Sequence, residues 1–371
     1  MPEQEVTLYI HIGMGKTGTS SIQNFLAGNH KVLWNLCSCL YPNMVMSDFL
    51  NGSFINHQKL FLADDIKSRK EKILTAVDFC RKHSRNKIIF SAEALFEDND
   101  GPALAKELSE IPGVNLKIIV YIRRQDQWLE SAWKEWGYKS NKYRDISHYI
   151  QQRDCNWLKA LRRWEGAVGR ARIIVRCYEK AQMPDGLIPD FFQTVGIDYN
   201  ANKWRPQKDL FKGFKGDVME VIFLNKRFCT GDSDTRLQGF FERNLDESFQ
   251  KESFKSYSFL SPTEKISVLT RYESANQTIA REFLGRDDGV LFYEPWPEPN
   301  EPWEPYGGLT VEKVIPIFTQ ALCNMDDFYN NKNRPFRGQY SNKTAGSPTQ
   351  ERGVGIFGVL DAILHKCKLK K

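Results

Sequence analysis

Apolar and polar positions alternate at the start of the chain. Val6, Leu8, Ile10 and Ile12 are separated by Thr7, Tyr9 and His11, which is the two-residue period of a buried strand. From Ile22 the period lengthens, since Ile22, Phe25 and Leu26 share one face of a helix. The same two patterns recur downstream. Ile73, Leu74, Val77 and Cys80 predict a helix over 67–83, and Ile88 to Phe90 a short buried strand ending at Ser91 and Glu93. A helix follows near 102–110, then a continuous β-branched run over 116–122 that ends at Arg123. Trp128, Ala132 and Trp136 fall on one helical face, 155–164 continue as helix, 171–178 form a further strand, and 187–195 form a helix stopped by Gly196. Strands alternating with helices imply an α/β fold, a central parallel sheet with right-handed crossovers and flanking helices. Ligands of such sheets bind beyond the carboxyl ends of the strands. Lys16, Glu93 and Arg123 each lie at or just past such an end.

The remaining segments read differently. Residues 29–65 lack a clear period and hold Tyr41-Pro42, Asn51-Gly52 and His57, so loops and short helices over the sheet face are expected. Residues 202–325 carry helical signals and no strong strand. Ser261-Pro262-Thr263-Glu264 combines an N-cap, a proline at the first helical position and a capping-box glutamate, opening a helix that should run to Gly285. A proline-rich turn then leads to a last helix near 309–323, which Pro316 should kink or divide. The implied organisation is an α/β core over 1–200, a helical part over 201–329 packed on it, a polar flexible linker over 330–352 and a tail over 353–371. In that tail Ile356, Val359, Leu360, Ile363 and Leu364 share a helical face ahead of Lys366, Lys368, Lys370 and Lys371. Such a helix either lies on an anionic membrane surface or docks on the protein's own helical part.

Composition narrows the function classes. The 371 residues carry a net charge of +6, which suits anionic ligands, and no zinc-finger or RNP1 pattern accompanies it, so no nucleic-acid partner is expected. The first residues have no basic region followed by an apolar one, and no stretch is long enough to span a bilayer, so a cytoplasmic protein is expected, with the tail as its route to the inner membrane surface. Eight scattered cysteines and six dispersed histidines form neither a disulfide framework nor a zinc pattern.

The turn between the first strand and helix is the chemically richest stretch. Gly13, Gly15 and Gly18 leave the backbone bare, Thr19, Ser20 and Ser21 place hydroxyls at the free N–H groups of the new helix, and Lys16 adds a full positive charge. This is a phosphate cradle. A Walker A loop would need glycine six residues before the lysine, where this chain has Ile10.

The run GMGKTGTSSIQ instead resembles the 5′-phosphosulfate loop of sulfotransferases, which use 3′-phosphoadenosine-5′-phosphosulfate (PAPS) as donor and release adenosine 3′,5′-bisphosphate (PAP). A second run, IVYIRRQDQWLESAW, places Arg123 and Ser131 eight positions apart, similar to the family's arginine and serine that hold the donor's 3′-phosphate. Arginine suits that task because its planar fork makes paired bonds to phosphate oxygens. RIIVRCYEK is similar to the later family strand whose tyrosine lies near the adenine, which would make Tyr178 a stacking residue unless it is simply core. The resemblance extends through YESANQTIAREFLGR and the PWPEP run to about Met325.

Several expectations follow from the resemblance. The fold would be the P-loop-like sulfotransferase fold, with Gly15, Lys16, Thr17, Gly18, Thr19 and Ser20 wrapping the phosphosulfate and Arg123, Ser131 and Tyr178 holding the rest of the nucleotide. The reaction would be sulfuryl transfer to a hydroxyl, on a carbohydrate or glycolipid, without a metal. Lys16 would neutralise charge on the bridging oxygen. Glu93 or His57 would take the acceptor's proton, unless Glu93 only partners Lys16 or Arg123 and His57 is a surface loop histidine. The rival readings are a P-loop kinase using Mg-ATP and a catalytically silent sulfotransferase-like binding protein.

Overall fold

A computed structural model describes residues 4–43, 49–50, 56–58, 61, 65–205, 214, 216–228, 234–249, 258–304 and 307–330. The chain divides into two compact units, Met1–Met325 and Asp326–Lys371. The expected linker beyond Asn330 and the tail lie outside the described residues.

Five strands, β1 (Val6–His11), β2 (Cys39–Leu40), β3 (Lys87–Ser91), β4 (Val114–Ile122) and β5 (Ile173–Cys177), form one sheet in the order β2-β3-β1-β4-β5. Every adjacent pair is parallel. The expected α/β architecture is therefore present. Two-residue β2 falls in the stretch read as loops, because two residues cannot display a period. The connections carry α1 (Thr19–Gly28), α2 (His30–Cys37), α3 (Ile66–Lys82), α4 (Gly101–Ser109), α5 (Gln125–Glu135), α6 (Ile146–Gln152) and α7 (Trp157–Val168), and α8 (Leu187–Thr194) follows β5.

Strand alternation sorts the core into two layers. Leu8, Ile10, Ile88, Phe90, Ile118, Val120 and Ile122 share one buried cluster with Val77 of α3, Leu104 of α4, Trp128 of α5 and Trp164 of α7. The intervening Tyr9, Ile89, Ile119 and Tyr121 join Phe25 and Leu26 of α1 and Phe191 and Phe192 of α8 in the other. Burying each such aliphatic or aromatic side chain contributes roughly 1.5–3 kcal/mol, so the sheet is a rigid platform. Because β1 lies between β3 and β4, the chain crosses to opposite sides of it in turn, and a crevice opens at its carboxyl end.

After α8 the longer elements among the described residues are helices, α9 (Gly216–Leu224), α10 (Arg236–Asn244), α11 (Pro262–Leu284) and α12 (Val311–Asn330), with an irregular segment between α11 and α12. The capping box forms as expected, with Ser261 accepting from the Glu264 amide, the Glu264 carboxylate accepting from the Ser261 amide, and α11 ending at left-handed Gly285. Pro316 does not divide α12, which continues through it. Proline withdraws one bond to the carbonyl four residues back, while Ile317 and Ala321 beyond it are buried in the core and hold the helix in place. Among the described residues no helix is long and apolar enough to cross a membrane.

Ser261→Ala removes one partner of the box and should lower the unfolding free energy by about 1 kcal/mol. Urea denaturation measures this, and an unchanged midpoint would show that α11 does not depend on its cap.

Candidate active site

The loop after β1 is fastened along β4. The Ile12 amide donates to the Ile119 carbonyl at 3.0 Å, the Met14 amide to Tyr121 at 3.1 Å, and the Tyr121 amide to the Gly13 carbonyl at 2.8 Å. The loop thus reaches the end of β4, where Arg123 begins. Gly13 is required because a Cβ there would lie 2.9 Å from the Glu93 Cα, and its φ is +97°. Gly18 is required as well, since its φ is +78° and a Cβ would fall 2.3 Å from Leu187 Cδ2.

Lys16 adopts the left-handed region with φ 67°, a conformation that costs a residue with a side chain about 1–2 kcal/mol. Strain of this kind concentrates where a side chain must be aimed. The buried hydroxyls of Thr17 and Thr19 both donate to the Met14 carbonyl, so their protons hold the loop's shape. Ser20 is exposed in the first turn of α1. The amides of Ser21 and Ile22 share the Gly18 carbonyl at 2.9 and 3.1 Å. Those of Gly18, Thr19 and Ser20 have no carbonyl partner among the described residues, which leaves the helix terminus to an anion.

Five further side chains complete the cluster. Arg123 Nη1 donates to the Lys16 carbonyl at 3.1 Å, and the guanidinium stands 5.5 Å from the centre of the Tyr178 ring. Its Nε is buried with no partner among the described residues. Burial pushes the guanidinium below its ordinary value, more than Tyr178, Asp126, Glu130 and Glu294 pull it back. Tyr178 Cε2 lies 3.0 Å from where a Cβ on Gly18 would stand, so this ring borders both the arginine and the loop. Glu135 Oε2 is 3.3 Å from Lys16 Nζ, with the Trp136 ring centre 6.0 Å from the same nitrogen. Burial raises the Glu93 carboxyl above its ordinary value, with Lys16 opposing and Glu135 adding to the shift. Two carboxylates therefore act on one lysine.

The structure thus gathers Gly15, Lys16, Gly18, Glu93, Arg123 and Tyr178. Ser131, partly buried, sits three residues after Trp128 and four before Glu135 on α5, hence on the face of that helix turned to the loop. Glu135 and Trp157 were not singled out from sequence, and Trp128 and Trp136 were read there only as one face of a helix. Trp128 Nε1 donates to the Gly15 carbonyl and Trp157 Nε1 to the Arg123 carbonyl, each at 2.9 Å. The available signal was the helical spacing of Trp128, Ser131 and Glu135, but tryptophans on a helical face read as core.

His57 is not brought to this cluster. It is buried, its Nδ1 accepts from the Ser91 amide at 3.0 Å, and its Nε2 donates to the Pro42 carbonyl at 2.8 Å. Burial lowers its pKa to about 4. Both nitrogens are engaged, so His57 braces the end of β3, two residues before Glu93, rather than facing a substrate. Arg124 is likewise taken. It pairs with Asp126 at 2.8 and 2.9 Å and donates to the carbonyls of Glu294 and Pro295 at 3.0 Å each. Glu179 accepts from the amides of Tyr293 and Glu294 at 2.9 and 2.6 Å, so the proline-rich segment is stitched along the carboxyl ends of β4 and β5.

No family model matches the chain. An uncharacterized protein of Archaeoglobus fulgidus is 28% identical over 180 residues, so the match spans about half, 48%, of each chain. Among solved structures, a sulfotransferase from Alicyclobacillus acidocaldarius aligns with a TM-score of 0.33 and 14% identity, covering 66% of this chain and 97% of that one.

An unfolded imidazole titrates near 6.5, whereas folded His57 titrates at about 4. Between those values the unfolded chain binds the additional proton, so His57 should cost stability as pH falls from about 6.5 towards 4. His11, buried and lowered to about 3, acts in the same direction. In His57→Asn the slope of unfolding free energy against pH over this window should drop by about one proton. An unchanged slope in urea titrations would show that His57 is not held neutral.

Proposed function

We propose that the chain is a sulfotransferase that moves the sulfuryl group of PAPS to an acceptor hydroxyl. The observation that carries this reading is the junction of Arg123 with the glycine loop, in which its Nη1 bonds the Lys16 carbonyl while its buried Nε is unpaired among the described residues. A buried cation left short of partners beside free helix-terminal amides fits a ligand with two anionic ends.

The residues present fit the donor. The amides of Gly18, Thr19 and Ser20 with Lys16 would hold the phosphosulfate, Arg123 and Ser131 the 3′-phosphate, and Tyr178 would border the base. The donor supplies an already activated sulfuryl group when bound. Lys16 offsets the negative charge that grows on the leaving oxygen, as a preorganised cation in a partly closed site can. In the donor-free state Glu135 supplies that cation with a counter-charge, and an arriving anion replaces it. Glu93 takes the acceptor's proton, since burial raises its affinity for one. A carbohydrate or glycolipid acceptor is the substrate class we assign from the sequence resemblance.

Lys16→Ala should reduce transfer by ~10²- to 10³-fold, and Glu93→Gln should lower kcat while leaving PAP affinity intact. The wild-type rate should rise with pH through the raised Glu93 value, because the base must be unprotonated. Glu135→Gln should tighten PAP on the order of threefold to tenfold, as one competing charge-assisted contact is weakened. Calorimetry with PAP against Mg-ATP and transfer of labelled sulfate provide the readouts. Preference for Mg-ATP would favour a kinase, and PAP binding without transfer to any acceptor would favour a silent binding protein.

A further inference from the structure

A second concavity lies in the helical part, where α9 faces the end of α5. Its volume is about 230 Å³, and Trp133, Tyr138, Phe223, Phe259 and Trp303 form much of its wall. None of the donor-site residues described above lines it. An apolar cavity of about 150 Å³ already accommodates benzene, while drug-sized ligands occupy pockets from about 300 Å³ upwards. The space therefore suits one aromatic ring with a short chain.

Two carboxylates also line it, Asp145 and Glu220. Asp145 is engaged, capping α6 through the His148 amide at 2.8 Å and accepting from Arg144 Nε at 3.2 Å. Glu220 has no hydrogen bond or ion pair to any described residue. Burial raises its carboxyl above the ordinary value, and no cation among the described residues opposes the shift. Three described lysines of the same region have other roles. Lys134 stands 5.5 Å from the Phe259 ring centre, Lys226 stands 4.3 Å from that of Phe223 and donates to the Tyr143 carbonyl, and Lys139 donates to Gln238.

We propose that this cavity binds a one-ring arylalkylamine, with the ring among Trp133, Phe223, Phe259 and Trp303 and the ammonium on Glu220. An ammonium supplies the partner that Glu220 lacks and is attracted by the surrounding aromatic faces. A carboxylate on the same ring would meet Glu220 as a like charge. The inference is independent of sulfuryl transfer, because the cavity and the donor cluster share no residue.

The test is calorimetric titration of the full chain with 2-phenylethylamine, 2-phenylethanol and phenylacetate, with tryptophan emission recorded in parallel, since Trp133 and Trp303 line the wall. The amine should bind saturably, about tenfold tighter than the alcohol and tighter still than the acid, as expected for one charge-assisted hydrogen bond. Glu220→Gln, isosteric at a position without partners, should bring amine and alcohol within about twofold, and Glu220→Asp should restore part of the preference. Phenylacetate binding as tightly as the amine, no saturable binding up to about 10 mM, or a preference that survives in Glu220→Gln would each overturn the proposal. The order of the three ligands on the wild-type protein decides the matter even if a variant does not fold.

Discussion

Three backbone hydrogen bonds between the loop at 12–14 and the last residues of β4 determine where everything else in the site can be. They carry β1's pairing past His11, the last residue of the strand, so that the chain turns only when it is level with Arg123. Had the loop left the sheet at the end of β1, Lys16 would not present its carbonyl to Arg123, and the two cationic elements would belong to separate surfaces. The strand pairing is common to parallel sheets of this kind. The bare Gly13 is what lets the loop follow it, because Glu93 occupies the space a side chain would need.

Electrostatics then organise the cluster. Lys16 and Arg123 sit close together in a partly buried place, a disposition that like charges resist unless anions intervene. Glu135 and Glu93 are the anions that act on Lys16, while Asp126, Glu130 and Glu294 act on Arg123 without an ion pair to it among the described residues. Lys16 thus has a direct counter-ion, whereas Arg123 has none among the described residues and keeps its buried Nε unpaired there. Trp128 and Trp157, whose indoles donate to the carbonyls of Gly15 and Arg123, fix the backbone on both sides without adding charge.

The sheet was legible because buried parallel strands are written as continuous apolar runs, as in Ile88 to Phe90 and Ile118 to Ile122, and because their ends are marked by polar residues. β2 escaped because it is held by its neighbour β3 and not by any pattern of its own. Among site residues, Lys16, Gly18 and Arg123 could be found because loop chemistry and spacing are local. Glu135 was missed, since its importance arises from α5 packing against the loop, a long-range event that its helical spacing with Trp128 and Ser131 only hints at. His57 shows the converse. A histidine in an irregular stretch reads as available, yet two backbone contacts and an aromatic surround of Tyr41 and Phe90 enclose it. Its role becomes visible only through what it touches.

The stitching of residues 291–295 onto β4 and β5 has a consequence for how the protein can be dissected. Arg124 and Glu179 are buried charges that take two carbonyls and two amides, respectively, from a segment more than a hundred residues later in the chain, although Arg124 also pairs with nearby Asp126. A fragment ending after α8 would contain every described strand of the sheet and still leave those groups without the backbone partners that complete their shells. The sheet-bearing half is therefore not a separable module. Its edge is finished by the far half, and a chain synthesised from its amino end cannot complete the rim of the crevice until the proline-rich segment has emerged.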